Sequence, residues 1–189
     1  MKNILILAGP SGVGKTTLAH ALLKDSDRFE LVRSVTSREP RGDSFDAEYI
    51  YLSRRAIEEL IENGGVLEYT DYASNLYGTP RSEIDRILAD GRVPLLVLDL
   101  VGVHTVVNTK SDLSPCAVYL TAPEEELAQR LRKRYGADIE KLNSRLEKNK
   151  TDKMLFEKIK DDFFAIVENA GNVEICAKNI SSYFERFCG

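Results

Sequence analysis

The sequence predicts an α/β fold, a parallel sheet with helices packed on both faces. Three observations lead there. Short apolar runs at residues 4–8, 93–99 and 116–122 alternate with segments of helical periodicity, the pattern of strands joined through helices rather than hairpins. The first run leads directly into Gly9-Pro10-Ser11-Gly12-Val13-Gly14-Lys15-Thr16, which fits G-x-x-x-x-G-K-[ST] between a strand and a helix. The run at 93–99 carries no polar residue before Asp99, as a strand covered on both sides requires.

Length and composition narrow the classes. A chain of 189 residues suits one domain with a sizeable core. Its 43% hydrophobic and 30% charged residues exclude a disordered chain. A formal net charge of −4 offers no basic field for nucleic acid, so none is expected as a partner. No apolar run approaches the roughly 18 residues that span a bilayer, and the N-terminal run is unlike a signal peptide. A cytoplasmic protein away from membranes is expected. Cys116, Cys176 and Cys188 are odd in number and lack C-x-x-C spacing, which reads as free thiols in a reducing compartment rather than metal ligands. His20 and His104 lie in apolar-periodic segments and read as packed or surface residues rather than catalysts.

Taken in order, the glycines of residues 9–14 let amide N–H groups turn inward around an anion. The helix that follows from Thr16-Thr17 adds partial positive charge at its N-terminus. Lys15 can reach the β- and γ-phosphates of a nucleoside triphosphate, and the Thr16 hydroxyl can ligate Mg²⁺. The helix is expected to end near residues 24–26, before a strand at 29–32. Residues 33–42 are expected as a loop; three arginines among hydroxyls there form either a solvated face or a second anion site suited to the planar guanidinium fork.

Residues 48–53 alternate as a strand, and Ser53 can cap a helix over 54–63 that Gly64-Gly65 stops. A β-like run at 66–72 and a turn at 75–80 complete an insertion whose aromatic and acidic content suits a base pocket. Residues 81–90 form an amphipathic helix with Ile84, Ile87 and Leu88 on one face, closed by Gly91. Asp99 ends the most apolar strand, facing Mg²⁺ or substrate, or else capping a helix over 101–108. After the strand at 116–122, Pro123 and three glutamates open a helix that runs into Arg130-Leu131-Arg132-Lys133-Arg134. That basic cluster either complements the helix dipole or, with Arg145 beyond a break at 135–138, belongs to a mobile flap that clamps phosphates and excludes water. A long polar helix over 138–169, a short strand at 173–176 and a closing helix at 180–187 are expected to finish the chain.

Together these residues resemble the guanylate kinase family over nearly the whole chain. Residues 9–15 read like its phosphate loop, and Ser34-Val35-Thr36-Ser37-Arg38-Glu39-Pro40-Arg41 resembles its GMP-phosphate loop. Leu67-Glu68-Tyr69 and Tyr77-Gly78-Thr79 resemble its guanine-reading parts, and Ile166-Val167-Glu168-Asn169 approximates its adenine-side loop. The resemblance implies a P-loop NTPase-like sheet (core 1–32, 81–122 and 150–189), an inserted NMP-binding subdomain at 33–80 and a helical lid at about 123–149. It implies Mg²⁺-dependent transfer of the ATP γ-phosphate to GMP or dGMP, within purine nucleotide metabolism. ATP would be held by Gly9, Pro10, Ser11, Gly12, Val13, Gly14, Lys15, Thr16 and Thr17, and Mg²⁺ by Thr16 and Asp99. GMP would meet Ser34, Arg38, Arg41, Tyr49, Glu68, Tyr77, Gly78, Thr79 and Asp99. Lys15, Arg38, Arg41, Arg130, Arg134 and Arg145 would serve the transfer.

The physics agrees: a carboxylate at Glu68 accepts the N1–H and 2-amino protons of guanine, whereas adenine would set an acceptor against it. Such a site rejects the mispaired base by roughly 10⁴-fold. Two alternatives remain open, a kinase with another acceptor (another nucleotide or a ribose bisphosphate) and a non-catalytic guanylate-kinase-like binding domain. The intact phosphate loop speaks against the second. Asn108-Thr109-Lys110-Ser111-Asp112 matches the N-K-x-D of GTPases only with an inserted Thr and is discounted. Monomer and homodimer are both left open.

Overall fold

In the computed structural model, which describes residues 2–40, 42, 44–72 and 74–188, the phosphate loop sits at the mouth of a central strand. Along the chain, β1 (Lys2–Ala8) leads through the loop to α1 (Lys15–Asp25) and β2 (Phe29–Leu31). β3 (Ser34–Thr36), β4 (Tyr49–Tyr51), α2 (Arg54–Glu62), β5 (Val66–Tyr72) and β6 (Asn75–Pro80) follow. The chain then runs through α3 (Arg81–Ala89), β7 (Val93–Val97), α4 (Leu100–Asn108) and β8 (Leu113–Thr121), and ends with α5 (Glu124–Tyr135), α6 (Ile139–Ile159), β9 (Ala165–Glu168) and α7 (Val173–Cys188).

Five strands form one all-parallel sheet in the order β2-β7-β1-β8-β9. Side chains of β1 alternate between its faces: Leu5 and Leu7 join α1 and α7 in one core, and Ile4, Ile6 and Ala8 join α3, α4 and α6 in the other. All five are fully buried. The predicted α/β fold with helices on both faces is therefore the observed one. Among the described residues no helix is long and apolar enough to cross a membrane.

The second sheet, β4-β3-β6-β5, is built from the stretch between β2 and α3 and has its own small core of Val35, Ile57 and Leu76. Ser53 caps α2, its hydroxyl accepting from the Ala56 N–H at 3.2 Å, as predicted. Where the chain leaves the main sheet and where it returns, one ion pair joins the two crossings. Arg33 donates to both oxygens of the buried Glu83 at 2.9 and 3.0 Å, and this fork holds the Glu83 carboxyl down at about 2 against the opposing effect of burial.

Four expected elements differ. Ser34–Thr36, expected within a loop, is a strand paired on both sides, to β4 and to β6. Three residues are too few to show a period, and only Val35 buries an apolar side chain there. Asn75–Pro80, expected as a turn, is β6. Its glycine fits the ladder because Gly78 lies opposite Tyr69 with the Glu68 carbonyl 3.3 Å from where a Cβ would sit, and its proline falls at the strand end. The helix predicted over 138–169 stops at Ile159, where a 3₁₀ turn leads into β9 at the sheet edge. Residues 173–176, predicted as a strand, are the first turn of α7, because the Asn172 side chain accepts from the Glu174 and Ile175 N–H groups at 2.8 and 3.1 Å.

The small core of the second sheet yields a test. Ile57→Ala should cost roughly 2–5 kcal/mol of local stability, with amide exchange rising in residues 34–80 and staying slow in β1 and β8. Exchange that rises uniformly through both sheets would show that the second sheet does not open on its own.

Candidate active site

The phosphate loop begins with its backbone pressed against β8. Gly9 has φ 148°, and a Cβ there would lie 2.5 Å from the Leu120 carbonyl oxygen, so no larger residue fits. Gly14, at φ 95°, caps α1, and a Cβ on it would lie 2.8 Å from Asn169 Nδ2. Between them the loop presents the opening of α1 to an anion. Lys15 curls under it, donating to the Gly9 carbonyl at 2.7 Å and the Pro10 carbonyl at 3.2 Å. Part of the side chain stays accessible, yet burial lowers the ammonium to about 8; Asp152 and Asp99 oppose this, and Lys148 and Arg145 reinforce it.

Side chains from the C-terminal half grip the same loop. Arg130 of α5 donates to the Val13 carbonyl at 3.1 Å and the Asn169 carbonyl at 3.0 Å, steadied by Glu126 at 2.6 Å. Asn169, just past β9, donates to the Val13 carbonyl at 2.7 Å. Asn149 of α6 pairs with the Ser11 peptide in both directions, accepting from its N–H at 2.7 Å and donating to its carbonyl at 3.0 Å. Arg145, one turn earlier on α6, lies 5.1 Å over the Tyr72 ring and is near enough to lower the Lys15 ammonium. Arg134 is exposed, 5.3 Å over Tyr135, and is not gathered with the others.

A second anion cradle lies on the smaller sheet. Arg38 sits 5.3 Å over the Tyr49 ring and 5.7 Å over Tyr51, and donates to the Glu39 carbonyl at 2.7 Å and the Tyr51 hydroxyl at 3.2 Å. The Asp46 carboxylate is held there by the Tyr51 hydroxyl, the Gly42 N–H at 2.7 Å and Arg38 at 3.4 Å. Guanidinium, hydroxyl and amide, groups suited to an anion, converge here on the chain's own Asp46 carboxylate. Ser34 pairs in register with Tyr49, and the Tyr49 and Tyr77 rings meet edge to face at 6.4 Å. Arg41 lies outside the described residues.

Glu68 and Thr79 meet where this sheet abuts α4. The Thr79 hydroxyl donates to Glu68 Oε1 at 2.5 Å in a buried setting. Gly102 makes room for this pair and for Asp99: a Cβ on Gly102 would sit 3.1 Å from Glu68 Oε2 and 3.4 Å from Asp99 Oδ1. Burial pushes the Glu68 carboxyl up to about 7; the Thr79 hydrogen bond lowers it and the Asp99 charge raises it. Asp99 caps α4, accepting from the Gly102 N–H at 2.8 Å, and its charge acts on both Lys15 and Glu68. Of the two alternatives for Asp99, the helix cap is the one observed. Among the described residues no cluster of three or more metal-binding side chains occurs, and the Thr16 hydroxyl has no hydrogen-bond partner.

Asn149, Asn169, Asp46, Tyr51 and Asp152 were not singled out as site residues by sequence reasoning. Asn149 and Asp152 fall in a run of lysines and glutamates with no distinguishing period, and only the adenine-side resemblance at 166–169 pointed near Asn169.

Comparison with known proteins gives one consistent result. The family model described as guanylate kinase matches residues 1–186. The chain is 33% identical to a guanylate kinase of Lactococcus lactis, covering 96% of this chain and 86% of that one. It is 34% identical to a guanylate kinase of Mesomycoplasma hyopneumoniae, covering 98% and 95%. The crystal structure of guanylate kinase from Anaplasma phagocytophilum is similar in fold, with a TM-score of 0.71 over 97% of this chain and 84% of that one, at 24% identity.

The raised Glu68 carboxyl has a defined sign. The folded state holds a proton that the unfolded chain releases near 4.5, so stability falls as pH rises from about 4.5 to about 7 and is level beyond. Glu68→Gln should remove that part of the pH dependence in urea titrations. Thr79→Val, which deletes a hydrogen bond to the charged form, should push the carboxyl above 7, read from its ¹³C chemical shift. A Glu68 carboxyl titrating near 4.5 would refute the assignment.

Proposed function

Because the chain belongs to the guanylate kinase family, it is a nucleoside monophosphate kinase that transfers a phosphoryl group from ATP to GMP, and we propose that the groups around its two anion sites divide the work as follows. ATP lies with its β- and γ-phosphates in the loop of residues 9–17. Lys15 leaves the loop carbonyls for the phosphates; an ammonium lowered to about 8 by burial regains full protonation once it has an anionic partner. Residues 33–80 form the NMP-binding insertion and residues 123–149 the lid. GMP, or dGMP, places its phosphate against Arg38, Arg41, Ser34 and the tyrosine hydroxyls, and its base against Glu68 and Thr79, with Gly78 and Asp99 nearby. The charged Glu68 carboxylate accepts the two guanine donors, so the bound base draws Glu68 toward its ionised form.

The acceptor phosphate is already ionised at neutral pH, so no general base is needed. One of its oxygens forms the new bond to the γ-phosphorus while the bond to the ADP oxygen breaks. Catalysis consists of holding the two in line and stabilising the charge between them. Lys15, Arg38, Arg41, Arg130 and Arg145 supply that charge, with Arg134 joining from the lid. A Thr16 hydroxyl without a protein partner and the Asp99 carboxylate fit Mg²⁺, which is held by one or two protein oxygens plus substrate phosphates and water rather than by a protein cage. When bound, the ion would neutralise charge on the donor phosphates. A cytoplasmic setting is consistent with three free cysteines, two of them buried. What carries this reading is Asp99, whose charge is felt both by Lys15 in the donor loop and by Glu68 in the base pocket.

A coupled ADP-release assay with ATP and Mg²⁺ tests it. GMP should exceed AMP, UMP and CMP as acceptor by several orders of magnitude in kcat/KM, and Lys15→Met should lower kcat by at least about 10²-fold while the circular dichroism spectrum is unchanged. AMP turned over as well as GMP would refute the role given to Glu68; full activity in the Lys15 variant would refute the role given to the loop.

A further inference from the structure

Asn149 makes the only side-chain hydrogen bonds from α6 to the phosphate loop among the described residues. Its amide pairs with both the N–H and the carbonyl of Ser11, as a neighbouring strand would, and so fixes the axial position of the helix as well as its distance. Positions 145, 149 and 152 are spaced i, i+4 and i+7 and share one face of α6. Asp152, the third residue of that stripe, is buried and accepts from Lys148 at 3.1 Å. At its far end Arg145 lies over Tyr72, a residue of the smaller sheet. One face of α6 therefore touches the donor loop through Asn149 and the acceptor-side sheet through Arg145.

We propose that Asn149 is a positioning residue for phosphoryl transfer: its two-way pairing with Ser11 sets the register of α6 against the phosphate loop, and thereby places Arg145 at the transferring group. The inference rests on the role given to Arg145 above. An amide suits this task because it offers donor and acceptor at one carbon and adds no charge beside the triphosphate. Without it, α6 keeps its apolar contacts and the Lys153–Glu124 pair to α5 but loses its hydrogen bonds to the phosphate loop. A displacement of about 1 Å at a charge-stabilising group costs on the order of 10²-fold in rate.

Steady-state kinetics at saturating ATP with Asn149→Ala, Arg145→Ala and the double variant test this. The expected result is a kcat lowered 10- to 100-fold in Asn149→Ala, with KM for GMP within twofold of the parent and the melting temperature little changed. The double variant should be no slower than Arg145→Ala, because the two substitutions remove the same contribution. Wild-type kcat in Asn149→Ala beside an impaired Arg145→Ala would overturn the inference and leave the role of Arg145 standing. Losses that multiply in the double variant would also overturn it, since Asn149 would then act without Arg145. Wild-type kcat in Arg145→Ala would remove the reading on which the inference rests.

Discussion

A loop that curls its amides inward around an anion turns carbonyls outward, and buried carbonyls need donors. In this chain each carbonyl from Gly9 to Val13 has one. Lys15 serves Gly9 and Pro10, Asn149 serves Ser11, and Arg130 reaches Gly12 and Val13, the last shared with Asn169. The donors come from α1, α5, α6 and the segment beyond β9. The need to satisfy one short stretch of backbone therefore draws the C-terminal third of the chain over the N-terminal tenth. Arg130 and Lys15 serve in this state as hydrogen-bond donors to the loop itself, so groups assigned to substrate also hold the loop in shape before substrate arrives.

The second sheet is attached differently. It has a core of its own, and it meets the main sheet through the buried Leu67 of β5, which joins the core of Ile4, Ile6 and Leu96, and through charge and close approach. The Arg33–Glu83 fork joins its two crossings, and Glu68 meets α4 at Gly102, where a Cβ would sit 3.1 Å from its Oε2. The Arg145–Tyr72 contact bridges it to α6 from the other side.

Electrostatics join the two halves of the site. The Asp99 charge raises the Glu68 carboxyl, and Asp152 and Asp99 raise the Lys15 ammonium while Lys148 and Arg145 lower it. Burial raises the Glu68 carboxyl and lowers the Lys15 ammonium. In the proposed reading, a guanine edge and a phosphate would each favour the charged form of these two groups.

The sequence by itself determined the parallel sheet and the phosphate loop. Those features depend on local chemistry: a fully buried strand must be apolar along its length, an anion loop must be glycine-rich, and a motif spans few residues. Short strands escaped it, because Ser34–Thr36 and Asn75–Pro80 hold their form through neighbours in the sheet rather than through period or propensity. Asn149, Asn169 and Asp46 escaped it for a related reason. Their partners are Ser11, Val13, and the trio of Arg38, Gly42 and Tyr51; for the two asparagines those partners lie more than 130 residues away. A polar residue in a charged helix or loop carries no mark of the carbonyl it will meet, and only the packing of α6 and β9 against the loop decides that it meets one.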